Sequence, residues 1–88
     1  MLERIYQQAF LKDVERAKKR GKNLQKLKTV IDMLLEQKQL PFKYKNHKLK
    51  GIFIDCWECH IEPNWLLIYK KTLLAIILVR NGTHADLF

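Results

Sequence analysis

A chain of 88 residues buries only about 60 to 65 % of its unfolded surface, so a single domain, residues 1–88, is expected, with a modest core and no deep cofactor pocket. The formal charge of +8, from 17 Lys and Arg against 9 Asp and Glu, points to a polyanionic or acidic partner, because such a field attracts phosphates and carboxylates over a Debye length. No apolar run reaches the roughly 18 residues of a membrane span, and the charged start lacks the apolar stretch of a signal peptide, so a cytoplasmic protein without membrane contact is expected.

Residues 1–5 are short enough for an edge strand. Tyr6, Phe10, Val14 and Ala17 then recur at helical spacing and put one apolar stripe on a helix whose other side carries Lys12, Asp13, Arg16 and Lys19. Gly21 suits the stop, and Asn23 can cap a second helix by accepting from its free amides. That helix carries Leu24, Leu27, Ile31, Leu34 and Leu35 and ends before Leu40-Pro41, since proline disfavours a helical residue in front of it. Two amphipathic helices joined by a tight turn must cover something apolar.

Four strands are expected to supply it, at 51–54, 57–61, 65–69 and 73–80, the last so uniformly apolar that it belongs at the centre of the sheet. The fold class is α+β: an N-terminal helical hairpin packed on a mainly antiparallel β-sheet whose other face is partly open. With period 2, Trp57, Cys59 and Ile61 point to one side of their strand, and Glu58, His60 and Glu62 to the other. Pro63 ends that strand. Cys56 and Cys59 are the only cysteines. Residues three apart on a strand face opposite sides, and no second C-x-x-C exists, so two reduced thiols are expected, with no metal and no cofactor.

Two basic tracts are separate features. Residues 12–28 hold eight basic and two acidic side chains, which read as a generic charged helix face. Residues 37–54 hold no acid at all; there Lys43, Lys45, Lys48 and Lys50 are interleaved with Phe42 and Tyr44, and cations beside stacking rings suit RNA. The rings can instead pin the loop to the core, Phe42 more than Tyr44. His47, His60 and His84 all lie in the second half, and imidazole can act as base or acid at neutral pH. Cleaving RNA needs both: a base removes the ribose 2′-OH proton, cations stabilise the phosphorane, and an acid protonates the departing 5′-oxygen. Arg80 offers a fixed fork to a phosphate, or a rim salt bridge.

The segments Asn46-His47-Lys48-Leu49-Lys50-Gly51, Glu58-Cys59-His60-Ile61-Glu62-Pro63, Leu67-Ile68-Tyr69, Arg80-Asn81-Gly82-Thr83-His84 and Leu87-Phe88 resemble, in the same order and over essentially the whole chain, the YafQ branch of the RelE/ParE toxin superfamily. The resemblance implies a RelE-like fold and a bacterial type II toxin that cleaves mRNA in the ribosomal A site. It also implies a co-expressed antitoxin, whose acidic segment would cover the basic surface, and contact with DNA only through that antitoxin. His47, His60, His84 and Phe88 fall on active-site positions of the family. His60 and His84 are expected to flank the scissile phosphate, His84 as acid, with the reverse assignment open; Phe88 is either a stacking platform or a hydrophobic plug. Two departures stand out. Trp57 replaces an arginine of the family, removing a candidate phosphate contact. Asn64 replaces an aspartate, so an amide that can orient a partner stands where a carboxylate could take up a proton. A binding-only relative and a catalytically impaired toxin are the alternatives those departures leave.

Overall fold

In the computed structural model, which describes residues 1–88, strand β1 (Glu3–Tyr6) leads into helices α1 (Gln8–Lys19) and α2 (Leu24–Leu35). Strands β2 (His47–Lys48), β3 (Trp57–Glu62), β4 (Trp65–Lys71) and β5 (Ala75–Gly82) follow, and a single helical turn, α3 (His84–Leu87), completes the order. The sheet runs β1-β5-β4-β3-β2, antiparallel throughout except that β1 lies parallel to β5. Residues 1–5 thus do contribute an edge strand. The strand expected at 73–80 is interior but runs over Ala75–Gly82, because Leu73 and Leu74 lie exposed in the bend before it, and β4 holds the middle place.

Both helices pack on one face of the sheet. Phe10, Leu27, Val30, Ile31, Leu34 and Leu35 meet Cys59, Trp65, Leu67, Tyr69, Ile76 and Leu78 in one buried cluster, each large side chain contributing about 1.5 to 3 kcal/mol. Gly21 (φ +76°) turns the chain after α1, and the Asn23 side chain accepts from the Gln25 amide at 3.0 Å, the cap its position foretold. Cys59 joins this core while Cys56 joins a smaller cluster on the opposite face, with Leu66, Ile68 and Leu87. The two thiols are free and separated by the sheet.

Several expectations are corrected. Tyr6 belongs to β1, not to the helix, and stacks on Phe10 at 5.6 Å. Asp13, placed on the solvated side of α1, is only 4 % exposed; it is drawn in by the open end of β5, where the Asn81 amide donates to it at 3.0 Å. Residues 51–54 form no strand. Gly51 (φ +75°) opens a 3₁₀ turn over Gly51–Phe53, and Ile52 and Ile54 project outward. The strand pairing with β3 is instead His47–Lys48, closed by the Leu49 amide donating to the Cys56 carbonyl at 2.9 Å. Glu62 leaves the face of His60 because the register shifts between those residues and sets Glu62 opposite Trp65, on the helical side. There Lys22 and Lys26 hold its carboxylate at 3.0 and 2.9 Å.

Candidate active site

The outer face of the sheet is floored by the Cys56, Leu66, Ile68 and Leu87 cluster, against which Leu49, Phe53 and Val79 pack. Over this floor two strands and the terminal helical turn deliver the three histidines. His47 arrives on β2 because its backbone partner across the ladder is Glu58; His60 projects from β3 two residues after Glu58, on the same face; His84 opens α3 after the Pro63-Asn64 turn and the end of β5 have been brought together. The rings form a row, with centroids 6.3 Å apart from His47 to His60 and 6.1 Å from His60 to His84. Phe88 extends it, 6.1 Å from His84 and edge-on to Phe53 at 5.5 Å.

Hydrogen bonding sets the tautomers. His47 Nδ1 lies 2.7 Å from the Lys45 carbonyl, an acceptor, so Nδ1 carries a proton and Nε2 faces Glu58. Lys45 adopts a left-handed conformation (φ +49°) to aim that carbonyl, a strained geometry that costs on the order of 1 kcal/mol outside glycine. Tyr69 holds the neighbouring residue from beneath, donating its hydroxyl to Asn46 Oδ1 at 2.7 Å. At the other end of the row, Asn64 Oδ1 accepts from the His84 amide at 3.3 Å and lies 3.4 Å from His84 Nδ1. The backbone N–H requires an oxygen there, so the amide orientation is unambiguous, His84 Nδ1 is the donor, and Nε2 points away from Asn64.

Glu58 joins the site although the sequence assigned it no role. The residue is only 4 % exposed, and one carboxylate oxygen lies 3.4 Å from both His47 Nε2 and His60 Nε2. Because His47 Nδ1 is already a donor, the contact from its Nε2 is attractive when the ring carries both protons; His60 can satisfy the same oxygen with a single Nε2–H. Period-2 alternation did place Glu58 beside His60. Alternation does not show the arrival of His47 across the β2–β3 ladder, because the pattern of residues 51–54 reads as the neighbouring strand.

The remaining candidates divide. Lys43, Tyr44 and Lys45 surround an open groove of about 490 Å³ that His60 also lines, with Lys26 and Thr29 on its far wall. Lys43 Nζ lies 5.1 Å over the Tyr44 ring and Lys48 Nζ 5.8 Å over that of Trp57. Lys43, Lys45, Lys48 and Lys50 pair with no acid. The two rings of the loop exchange the parts expected of them: Phe42 is 96 % exposed, while Tyr44 packs against the helical core and is the pin. Arg80 is not a free fork. Its Nε and Nη2 donate to Asp13 at 2.6 and 3.1 Å, which holds its pKa above the ordinary value and leaves only the remaining edge for a ligand. Trp57 packs toward the helical core, so an arginine at this position would not share the face of His60. The buried Cys59 thiol is pushed up to about 12 by desolvation, reinforced by Glu58, and burial raises Cys56 as well against the pull of Lys70; neither is a nucleophile at neutral pH.

The sequence profile of the YafQ toxins, described as the bacterial toxin of type II toxin-antitoxin systems, matches residues 2–88. The mRNA interferase toxin YafQ of Escherichia coli (strain K12) is 42 % identical over 84 residues, covering 94 % of this chain and 91 % of the relative. The crystal structure of YafQ from E. coli strain BL21(DE3) superimposes with a TM-score of 0.95 at 38 % identity, covering 100 % of this chain and 99 % of the other. YafQ in the E. coli DinJ-YafQ toxin-antitoxin complex gives 0.91 at 40 % identity, over 99 % and 97 % of the two chains.

Proposed function

We propose that this chain, which belongs to the YafQ family of bacterial type II toxins, is a ribosome-dependent mRNA endoribonuclease held in check by a cognate antitoxin and working in the cytoplasm, where its substrate is. The observation that carries the reading is the row of three histidines beside the buried Glu58, edged by unpaired lysines. In the neutral form His60 donates Nε2–H to Glu58, and its Nδ1 accepts the proton of the ribose 2′-OH as the 2′-oxygen attacks phosphorus; Glu58 then supplies the counter-charge for the imidazolium that forms. His47, whose Nε2 faces Glu58, and the lysines of the 43–50 loop stabilise the phosphorane. His84, oriented through Nδ1 by Asn64, delivers the Nε2 proton to the departing 5′-oxygen. The P–O5′ bond breaks as the P–O2′ bond forms, giving a 2′,3′-cyclic phosphate and a 5′-hydroxyl.

Phe88, exposed beside His84, stacks an A-site base. The E. coli relative is known in complex with DinJ, and here an acidic antitoxin segment would engage the same lysines that the RNA needs; DNA contact would be the antitoxin's alone. The test is induction of the chain without antitoxin, with new 5′ ends mapped on ribosome-bound and on naked mRNA. Cleavage confined to ribosome-bound message is expected. Growth arrest without new ends would overturn the enzymatic reading in favour of inhibition by binding.

A further inference from the structure

We infer that Asp86 is a positioning residue of the histidine site, a latch that holds the turn carrying His84 and Phe88 onto α1; the inference rests on the proposed proton transfer by His84. A helix of four residues has no stability of its own, since isolated helices shorter than about 12 residues are marginal in water. Its place must come from tertiary contacts. Leu87 supplies one, buried in the outer cluster, and Asn64 another, at the His84 amide, but both lie on the sheet side and neither ties the turn to α1. Asp86 removes that freedom. Its Oδ2 accepts from the Thr83 amide at 2.9 Å while Thr83 Oγ1 accepts from the Asp86 amide at 3.1 Å, a reciprocal cap of the turn. The same carboxylate takes Arg20 bidentately, Nη1 at 2.6 Å and Nη2 at 3.1 Å, with Arg16 Nε at 3.9 Å.

Local cap and long-range ion pair therefore converge on one side chain, and α1 sets where His84 stands. A second feature points the same way. A Cβ on Gly82 would lie 2.9 Å from both Cβ and Oδ2 of Asp86, closer than such atoms approach, so residue 82 must be glycine for the carboxylate to reach its partners. Arg16 also donates to Asp13 at 2.7 Å, and Asp13 in turn holds Arg80 and the Asn81 amide. One face of α1 thus fixes both the end of β5 and the turn that follows it. Displacing His84 by an ångström relative to the scissile bond would cost about 100-fold in rate.

Cleavage of ribosome-bound mRNA by Asp86→Ala, Arg20→Ala, their double variant and Asp86→Glu tests this, together with amide relaxation of residues 83–88. Asp86→Ala should lower kcat by about 10- to 100-fold with little change in KM, loosen the amides of residues 83–88, and leave those of β4 rigid. The double variant should be no slower than Asp86→Ala, and Asp86→Glu, which keeps the cap and can reach Arg20, should restore most of the rate. An Asp86→Ala enzyme within about twofold of wild type, or a double variant in which the two losses multiply, overturns the latch. Should wild type itself cleave nothing, the nuclease reading fails instead. Relaxation alone then decides the latch: loosened amides in Asp86→Ala uphold it, unchanged ones overturn it.

Discussion

Truncating Phe88 separates a stacking platform from a plug, and the exposure of the side chain sets the stability loss to be expected. The side chain is 61 % exposed, so about two fifths of it is covered; against about 1.5 to 3 kcal/mol for full burial, Phe88→Ala forfeits about 0.6 to 1.2 kcal/mol. The edge-on contact with Phe53 adds about 0.5 kcal/mol, at the low end because Phe53 is itself only half-buried. The total, about 1 to 2 kcal/mol, lies below the roughly 3 to 5 kcal/mol expected of a filled core position. Loss of a stacked base costs about 1 to 3 kcal/mol, or about 5- to 140-fold in substrate engagement. Urea unfolding and cleavage of ribosome-bound mRNA, measured on the same preparation, should therefore show a small shift in midpoint and a large loss of cleavage. A stability loss above about 3 kcal/mol, with cleavage falling only as the folded fraction falls, would refute the platform.

Three further outcomes follow from the charged groups. Glu58→Gln keeps the shape of the site but removes the counter-charge for both histidines, and should lower cleavage by about 10²-fold, as His60→Ala should by about 10² to 10⁴-fold; a Glu58→Gln protein at wild-type rate would dismiss Glu58 from the mechanism. Asp13→Asn strips the counter-charge from Arg80 and Arg16, and because Arg80 keeps 27 % of its side chain in solvent the loss should sit at the low end for a broken buried pair, about 3 kcal/mol, read by urea titration; a loss under about 1 kcal/mol would place the pair among weak surface ones. Arg20 first, then the Thr83 amide, hold the Asp86 carboxyl well below its usual range. A depressed folded pKa contributes stability that is complete above the unfolded value of about 3.9 and is lost as pH falls through the folded one. The gap in Tm between wild type and Asp86→Asn should accordingly narrow below pH ~4, and a gap that widens there would contradict the assignment.

Periodicity revealed what is repetitive in this fold and missed what depends on long-range partners. The helical hairpin, three of the strands and the alternation that puts His60 opposite Cys59 were legible because burial imposes spacings of 3.6 and 2 on the chain itself. Asp13 was misplaced on the same grounds: a helical wheel cannot know that a strand 68 residues later ends beside it with a free amide. Glu58 escaped for a related reason, since its meaning comes from His47 across a two-residue ladder too short to announce itself. The His84 turn was singled out by its residues, yet neither Asn64 nor Asp86 could be connected to it until the Pro63-Asn64 turn and α1 were seen to meet there.

Charge was the first property to suggest a polyanion, and the fold redirects it. Much of the basic 12–28 tract is spent internally, with Arg16 on Asp13, Arg20 on Asp86, Lys22 and Lys26 on Glu62, and Lys28 on Asp32. Lys43, Lys45, Lys48 and Lys50 have no such partners, so an approaching strand meets unpaired cations on the segment that carries His47. Binding of an RNA oligonucleotide, followed by fluorescence anisotropy from low to high salt, measures how many cations the phosphates engage, because each contact adds about 0.7 to the log–log slope for a single strand. Four lysines give a slope near −3, and replacing Lys45 and Lys48 by Ala should reduce it by about 1.4. The Lys18→Ala, Lys19→Ala double variant on α1 removes two cations that line no part of the groove beside His60, and should leave the slope unchanged. A slope that falls with the helical pair and not with the loop pair would put the RNA on α1 and away from the histidine row.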